Sequence, residues 1–128
     1  MIRKEIRDAV YSALGSISGA TLFKSPVYPT ESYPAIFISS GSLSSEPDSM
    51  GASTNDYTVS VDIRVTGAPA GLDDALDVVV EQVRDKLALA AENLPEYVIS
   101  EVRFEHEEGD PAIGAADMSI VFTYFTEE

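Results

Sequence analysis

DYTVSVDIRVT, residues 56–66, is the stretch whose reading decides the fold. Tyr57, Val59, Val61, Ile63 and Val65 alternate without a break with Asp56, Thr58, Ser60, Asp62, Arg64 and Thr66. Period-two alternation over this length marks a strand with one buried and one wet face. The β-branched and aromatic content agrees. An apolar row this regular predicts an interior strand that carries the core face of a sheet.

Toward the C-terminus, residues 67–71 are a break and residues 72–91 read as a helix. Leu72, Leu76, Val79, Val80, Val83, Leu87 and Ala90 form its apolar stripe, and Asp73, Asp74, Asp77, Glu81, Arg84 and Asp85 its polar side. Asp73 and Asp74 fall in the first turn, where the helix dipole favours negative charge. Asn93 and Pro95 supply the stop. Residues 97–107 alternate again, with Val98, Val102 and Phe104 expected on one face and Glu101, Arg103 and Glu105 on the other. An acidic turn over residues 107–114 leads to a last strand, residues 116–126. Its inward row is Met118, Ile120, Phe122 and Tyr124. Val121 and Phe125 are expected to point away from the core, where burial against another subunit would explain them.

Toward the N-terminus, residues 41–55 hold five serines, two glycines and a proline, with Leu43 and Met50 the sizeable apolar residues. That composition predicts a long flexible loop, projecting from one end of the sheet and ordering on a partner. Before it, residues 33–40 read as a strand with Pro34 at its beginning, where no ladder donor is needed. Residues 16–32 are a connector whose Leu22, Phe23, Val27 and Tyr28 are expected to pack against the sheet edge. Residues 2–14 read as a helix with Ile2, Ile6, Val10 and Leu14 on one side and Arg3, Lys4, Arg7 and Asp8 on the other. Gly15 is its stop.

The order is α-β-β-α-β-β. Each helix has one apolar stripe, so both can lie on one face of a four-stranded mixed sheet. The fold class is α+β, a two-layer sandwich, with the first two and last two strands able to pair as hairpins. A length of 128 residues and 45% hydrophobic content suit a single domain with a real core. There are no cysteines, which excludes disulfides and thiolate chemistry. Nothing reads as a secretory signal or a membrane span, so cytoplasmic residence is the expectation.

The formal charge of −14 repels phosphate and argues against direct, sequence-specific nucleic-acid binding. It suits an acidic solvated surface, docking to a basic partner, or mimicry of nucleic acid. Four of the eight basic residues, Arg3, Lys4, Arg7 and Lys24, precede position 25. The basic first segment of one copy can thus face the acidic surface of another: Asp73, Asp77 and Asp85 on the second helix, or residues 105–108.

Catalytic chemistry is thin. His106, the single histidine, lies among Glu105, Glu107, Glu108 and Asp110, a setting for a base or a metal ligand. One histidine in an acidic turn is more economically a solvated strand end. Asp73 and Asp77 share a helix face, which more simply carries solvated charge than a divalent ion. No nucleophile elbow, P-loop, dinucleotide fingerprint or EF-hand spacing occurs. The reading is non-enzymatic, with no cofactor, no metal site and no catalytic residues.

The whole pattern resembles the bacteriophage tail terminator proteins, the minor tail protein U-like family. The resemblance rests on the opening amphipathic helix (Ile2, Arg3, Ile6, Val10, Leu14), then Val27-Tyr28-Pro29 and Tyr33-Pro34-Ala35-Ile36. It continues through the polar loop, the alternating strand Tyr57–Val65, the helix from Leu72 to Leu87, Asp110-Pro111 and Phe122-Thr123-Tyr124. It implies a structural virion protein that caps the tail tube as a hexameric ring, ends its polymerisation and joins tail to head. The implied partners are further copies of itself, the tail tube protein and the head-tail connector protein. The implied location is the virion tail, after assembly in the host cytoplasm. Candidate subunit or tube contacts are Arg3, Lys4, Arg7, Lys24, Leu43, Met50, Asp73, Asp77, Asp85, Val121 and Phe125. Alternatives are another head-tail neck completion protein, an acidic nucleic-acid mimic that inhibits a DNA-binding protein, or a small enzyme using His106.

Overall fold

A computed structural model describes residues 3–15, 17, 21–23, 34–47, 52–67, 69–107 and 112–127, with the backbone alone described at 21–23, 52, 69, 126 and 127. The elements are α1 (Arg3–Leu14), β1 (Thr21–Phe23), β2 (Ala35–Pro47), β3 (Ala52–Gly67), α2 (Leu72–Leu89), β4 (Glu96–Glu107) and β5 (Ala112–Glu127). Short 3-10 turns, Pro69–Gly71 and Ala91–Asn93, flank α2. The sheet order is β1-β2-β3-β5-β4. The four long strands pair antiparallel, and β1 adds three parallel rungs to β2. The α+β sandwich is therefore as expected, and β1 makes the sheet mixed and five-stranded rather than four-stranded. β3 and β4 run in the same direction with β5 inserted between them, so α2 is a crossover that skips one strand.

The alternation that opens the sequence reading is the centre of the core. Tyr57, Val59, Val61 and Ile63 are at most 1% exposed and Val65 is 3% exposed. They meet Phe122, Ile120, Met118 and Ala116 on β5 and Ile38 and Ile36 on β2. Ile6, Val10 and Leu14 of α1 and the α2 stripe from Leu72 to Leu87 close the same cluster. Both helices thus cover one face of the sheet. Full burial of such side chains stabilises by about 1.5–3 kcal/mol each. Phe37 lies on the opposite face, out of this cluster, yet is 1% exposed. Near its start, β2 is buried on both sides.

Three sequence expectations are corrected. The flexible loop over residues 41–55 is mostly strand. β2 runs on to Pro47 and β3 begins at Ala52, with paired rungs from Leu43–Tyr57 to Pro47–Ser53. Met50 lies outside the described residues. A polar composition was no bar, because β3 is bonded on both sides, by β2 and by β5 out to Glu127. Backbone groups paired on two flanks need little apolar surface to stay ordered.

The inward row of β4 is the second correction. The ladder to β5 slips between Ile99 and Glu101, so Ser100 is an extra residue. Its hydroxyl donates to the Ser119 carbonyl at 3.2 Å. A bulge flips the side-chain parity of everything before it. Tyr97, Ile99, Val102 and Phe104 share the helix face, while Val98 turns outward and is 60% exposed.

The third correction concerns Gly114, read as part of a turn. It is a strand residue, paired with Val65 and His106. A Cβ there would approach Leu76 Cδ1 to 3.1 Å and the Leu72 Cβ to 3.4 Å. The glycine lets the first turns of α2 lie close on the sheet. The connector at residues 16–32 contains β1, where Leu22 and Phe23 extend the sheet edge by backbone pairing. Lys24, Val27 and Tyr28 lie outside the described residues.

Candidate assembly surfaces

Four surfaces hold the residues singled out by sequence. The first is a three-stranded blade formed where β2, β3 and β5 continue past Leu43, Tyr57 and Phe122. Its rungs are built from serine, threonine, asparagine and carboxylates, held by cross-strand side chains. Ser45 Oγ donates to Asn55 Oδ1 at 2.6 Å, and Asn55 Nδ2 donates to the Tyr124 carbonyl at 3.4 Å. Asn55 is 6% exposed and ties all three strands together. Thr123 Oγ1 donates to Asp56 Oδ1 at 2.8 Å on the other face. Leu43, 45% exposed, marks the base of the blade, and Phe125, 71% exposed, projects from it.

The second surface is α1. Arg3 and Lys4 are exposed on it. Arg7 is not a free docking cation as expected. Its Nη1 donates to Tyr57 Oη at 2.9 Å and Ser40 Oγ at 3.0 Å, and the two hydroxyls bond to each other. The guanidinium therefore pins α1 to β2 and β3 over the buried Tyr57 ring. A cleft of about 260 Å³ opens beside it, lined by Lys4, Arg7, Asp8, Tyr11 and Ile38.

The third surface is the exposed side of α2. Asp73, Asp77 and Asp85 all lie on it. His106 Nε2 is 2.8 Å from Asp73 Oδ1, with both side chains about half exposed or more. This links the end of β4 to the first turn of α2. It brings together two residues that the sequence reading kept apart. Among the described residues no three His, Cys, Asp or Glu side chains gather as metal ligands. Val78 and Leu89, 59% and 79% exposed, are apolar residues on this helix that sequence reasoning passed over. Their position off the apolar stripe was the available signal.

The fourth surface is the outer sheet face. Val121, half-buried, pairs with Val98, so the expectation that it points outward holds and gains a neighbour. Asp62 and Asp117 face each other directly across β3 and β5. Arg64 Nε lies 3.6 Å from Asp62 Oδ2, and Arg103 is paired to Glu101 at 3.1 Å. Asp62, Arg64, Arg103, Glu105 and Asp117 line a small cleft of about 120 Å³. Partial burial, and next the Asp62 charge, push the Asp117 carboxyl above its ordinary value. A folded-state value above the unfolded one means the native protein holds this proton more tightly. Stability from this group is then highest below the unfolded value near 3.8 and falls as pH rises through the folded value. Asp117→Asn should therefore raise the melting temperature at pH 7 by about 2 °C, the scale of relieving like charges directly opposite in a sheet. The gain should vanish near pH 3. Thermal melts of both proteins at the two pH values check this, and equal melts at pH 7 would refute it.

No protein-family model and no characterised protein matches the chain. No helix among the described residues is long and apolar enough to cross a membrane. Lys24, like Met50, lies outside the described residues. The remaining candidates do not converge on one pocket; they are spread over the blade, two helices and the outer sheet face.

Proposed function

We propose that the chain is a structural protein of a long-tailed phage, closing into a hexameric ring that caps the tail tube, stops its polymerisation and offers the head-tail joining surface. The observation that carries this reading is the three-stranded blade. It is a long, polar extension with its own hydrogen-bond network, reaching beyond the helix-covered core where a partner can grip it. The resemblance in sequence organisation supports the same reading. So does the spread of candidate residues over separate faces, as an assembly protein needs and an active site does not. Its partners in this reading are further copies of the chain, the tail tube protein and the connector.

Charge sets a testable condition. Six copies of −14 carry −84 formally, and self-repulsion opposes closure. The Debye length falls from about 30 Å at 0.01 M salt to about 8 Å at 0.15 M, so added salt screens that repulsion. Ring formation should strengthen with ionic strength, and magnesium should act at lower concentration than sodium. Sedimentation velocity across a salt series, with negative-stain microscopy of the largest species, reads the result. Assembly that weakens steadily with salt would overturn the charge argument. A monomer at every condition, with or without tail tubes, would overturn the function.

A further inference from the structure

Among the described residues, the sheet ends in two strands that are open along matching lengths. β4 is an edge strand throughout. β2 is covered by β1 only at Ala35, Ile36 and Phe37, and no described strand lies along it from Ile38 onward. Uncovered edges carry a row of backbone donors and acceptors and readily template another strand. Proteins that keep such edges monomeric tend to stud them with charge. β4 does so, with Glu96, Glu101, Arg103, Glu105 and Glu107, whereas β2 between Ile38 and Ser45 carries no charged residue.

The two edges also fit one another. β2 slips by one residue between Ser40 and Leu43, and β4 slips by one between Ile99 and Glu101. Gly41 makes room for the first slip, since a Cβ there would lie 3.1 Å from the Thr58 carbonyl oxygen and from its Cγ2. Across the rungs occupied by Val61 to Tyr57 on β3, four residues on, β2 needs five steps, Ile38 to Leu43. Over the same rungs β4 also needs five, Tyr97 to Val102. Each bulge is an irregularity against the strand inside its own sheet. Against each other the two strands are the same length.

We propose that residues 96–102 of β4 in one copy pair antiparallel with residues 38–44 of β2 in the next, joining the sheets of successive copies edge to edge. The direction follows from the sheet itself, because β2 and β4 already run opposite ways. In the shared register, Val102 meets Ile38, Glu101 meets Ser39, Tyr97 meets Leu43 and Glu96 meets Ser44. On the helix face, the half-exposed Leu43 gains the ring of Tyr97, whose centroid lies 5.6 Å from that of the tilted Phe122 ring. On the outer face, Glu96 and Glu101 meet serine hydroxyls that can donate to them, and Glu46, diagonal to Glu96, is the carboxylate of β2 that adjoins the seam. β1 occupies the next rungs of β2 and ends the ladder at Val102. The contact is head-to-tail: each copy offers β4 on one side and β2 on the other, the kind of interface that builds rings or open chains.

The contact rests on the self-assembly in the proposed function, but not on closure at six copies. A chain without cysteine makes the test specific. Ser39→Cys and Glu101→Cys proteins are mixed under mild oxidation at a concentration and salt where the wild type associates. A one-to-one disulfide product is expected, in about tenfold excess over a mixture of Ser45→Cys with Glu101→Cys, because cysteines with Cα atoms beyond about 7 Å do not bridge. Ser44→Cys with Glu96→Cys is an independent second pair, with both positions exposed. Equal yields for matched and mismatched pairs, or no product from either matched pair, overturn the proposal. Rings seen by microscopy without matched cross-links would sink this contact and leave the ring reading standing. Matched cross-links in open chains would do the reverse.

Discussion

Val61→Asp should leave the protein without a stable native state. Val61 is fully buried between Ile38 and Met118, under both helices, at the middle of the row that organises the sheet. The substitution removes an apolar side chain whose burial stabilises by about 1.5–3 kcal/mol and leaves a carboxyl with no partner in reach. Together the loss is about 4 kcal/mol or more, a large share of the roughly 5–15 kcal/mol that holds a domain. Circular dichroism should show a melting transition lowered by about 15 °C or absent, and the soluble yield should fall. The control is Ser60→Asn, one residue away on the outer face, which adds a polar side chain the size of aspartate without a charge beside Asp62 and Asp117 and should melt within a few degrees of wild type. A Val61→Asp protein that melts like wild type would mean the core lies on the other face of β3.

Deleting residues 44–53 should keep the fold and abolish tail termination. The cut joins Leu43 to Thr54, and Leu43 already pairs with Tyr57, so Thr54, Asn55 and Asp56 are left as a three-residue hairpin turn. Asparagine and aspartate suit such a turn. The helix-covered core is untouched, and its buried residues all lie below the cut. The end of β5 loses the partners it had at Ala52 and Ser53 and should fray. Melting temperature should fall by only a few degrees, while tails assembled with the variant should grow past their normal length. Tails of normal length would make the blade a spacer and remove the observation on which the proposed function stands. A variant that fails to fold would show instead that the blade supports the core.

How far the fold was legible follows from where the information sits. The apolar rows of β3 and α2 are local and periodic, and burial reproduces them except at Ala90, which lies just past the end of α2 and is half-buried. The stripe of α1 is equally local, and Ile6, Val10 and Leu14 are fully buried. Where the periodicity breaks, the reading broke. One extra residue at Ser100 exchanged the faces of Val98 and its neighbours, and a bulge is visible only against the strand it slips along. Gly114 carried a turn signal, yet it serves a close helix approach, a fact about α2 rather than about its own neighbours in the chain.

The surfaces divide in the same way. That Phe125 is exposed, that Val121 points outward, and that Asp73, Asp77 and Asp85 are solvated could be read from alternation and helical spacing. That Arg7 is tied to Tyr57 and Ser40 could not, because those partners lie 50 and 33 residues away. The sequence by itself determined the core faces of β3, β5 and both helices, the number of long strands and the acidic character of the surface, since each depends on side chains close in the chain. Only the tertiary structure decided that residues 41–47 and 52–55 are strand rather than loop. Their order comes from backbone hydrogen bonds, β2 to β3 and β3 in turn to β5, and a backbone donor has no signature in the sequence.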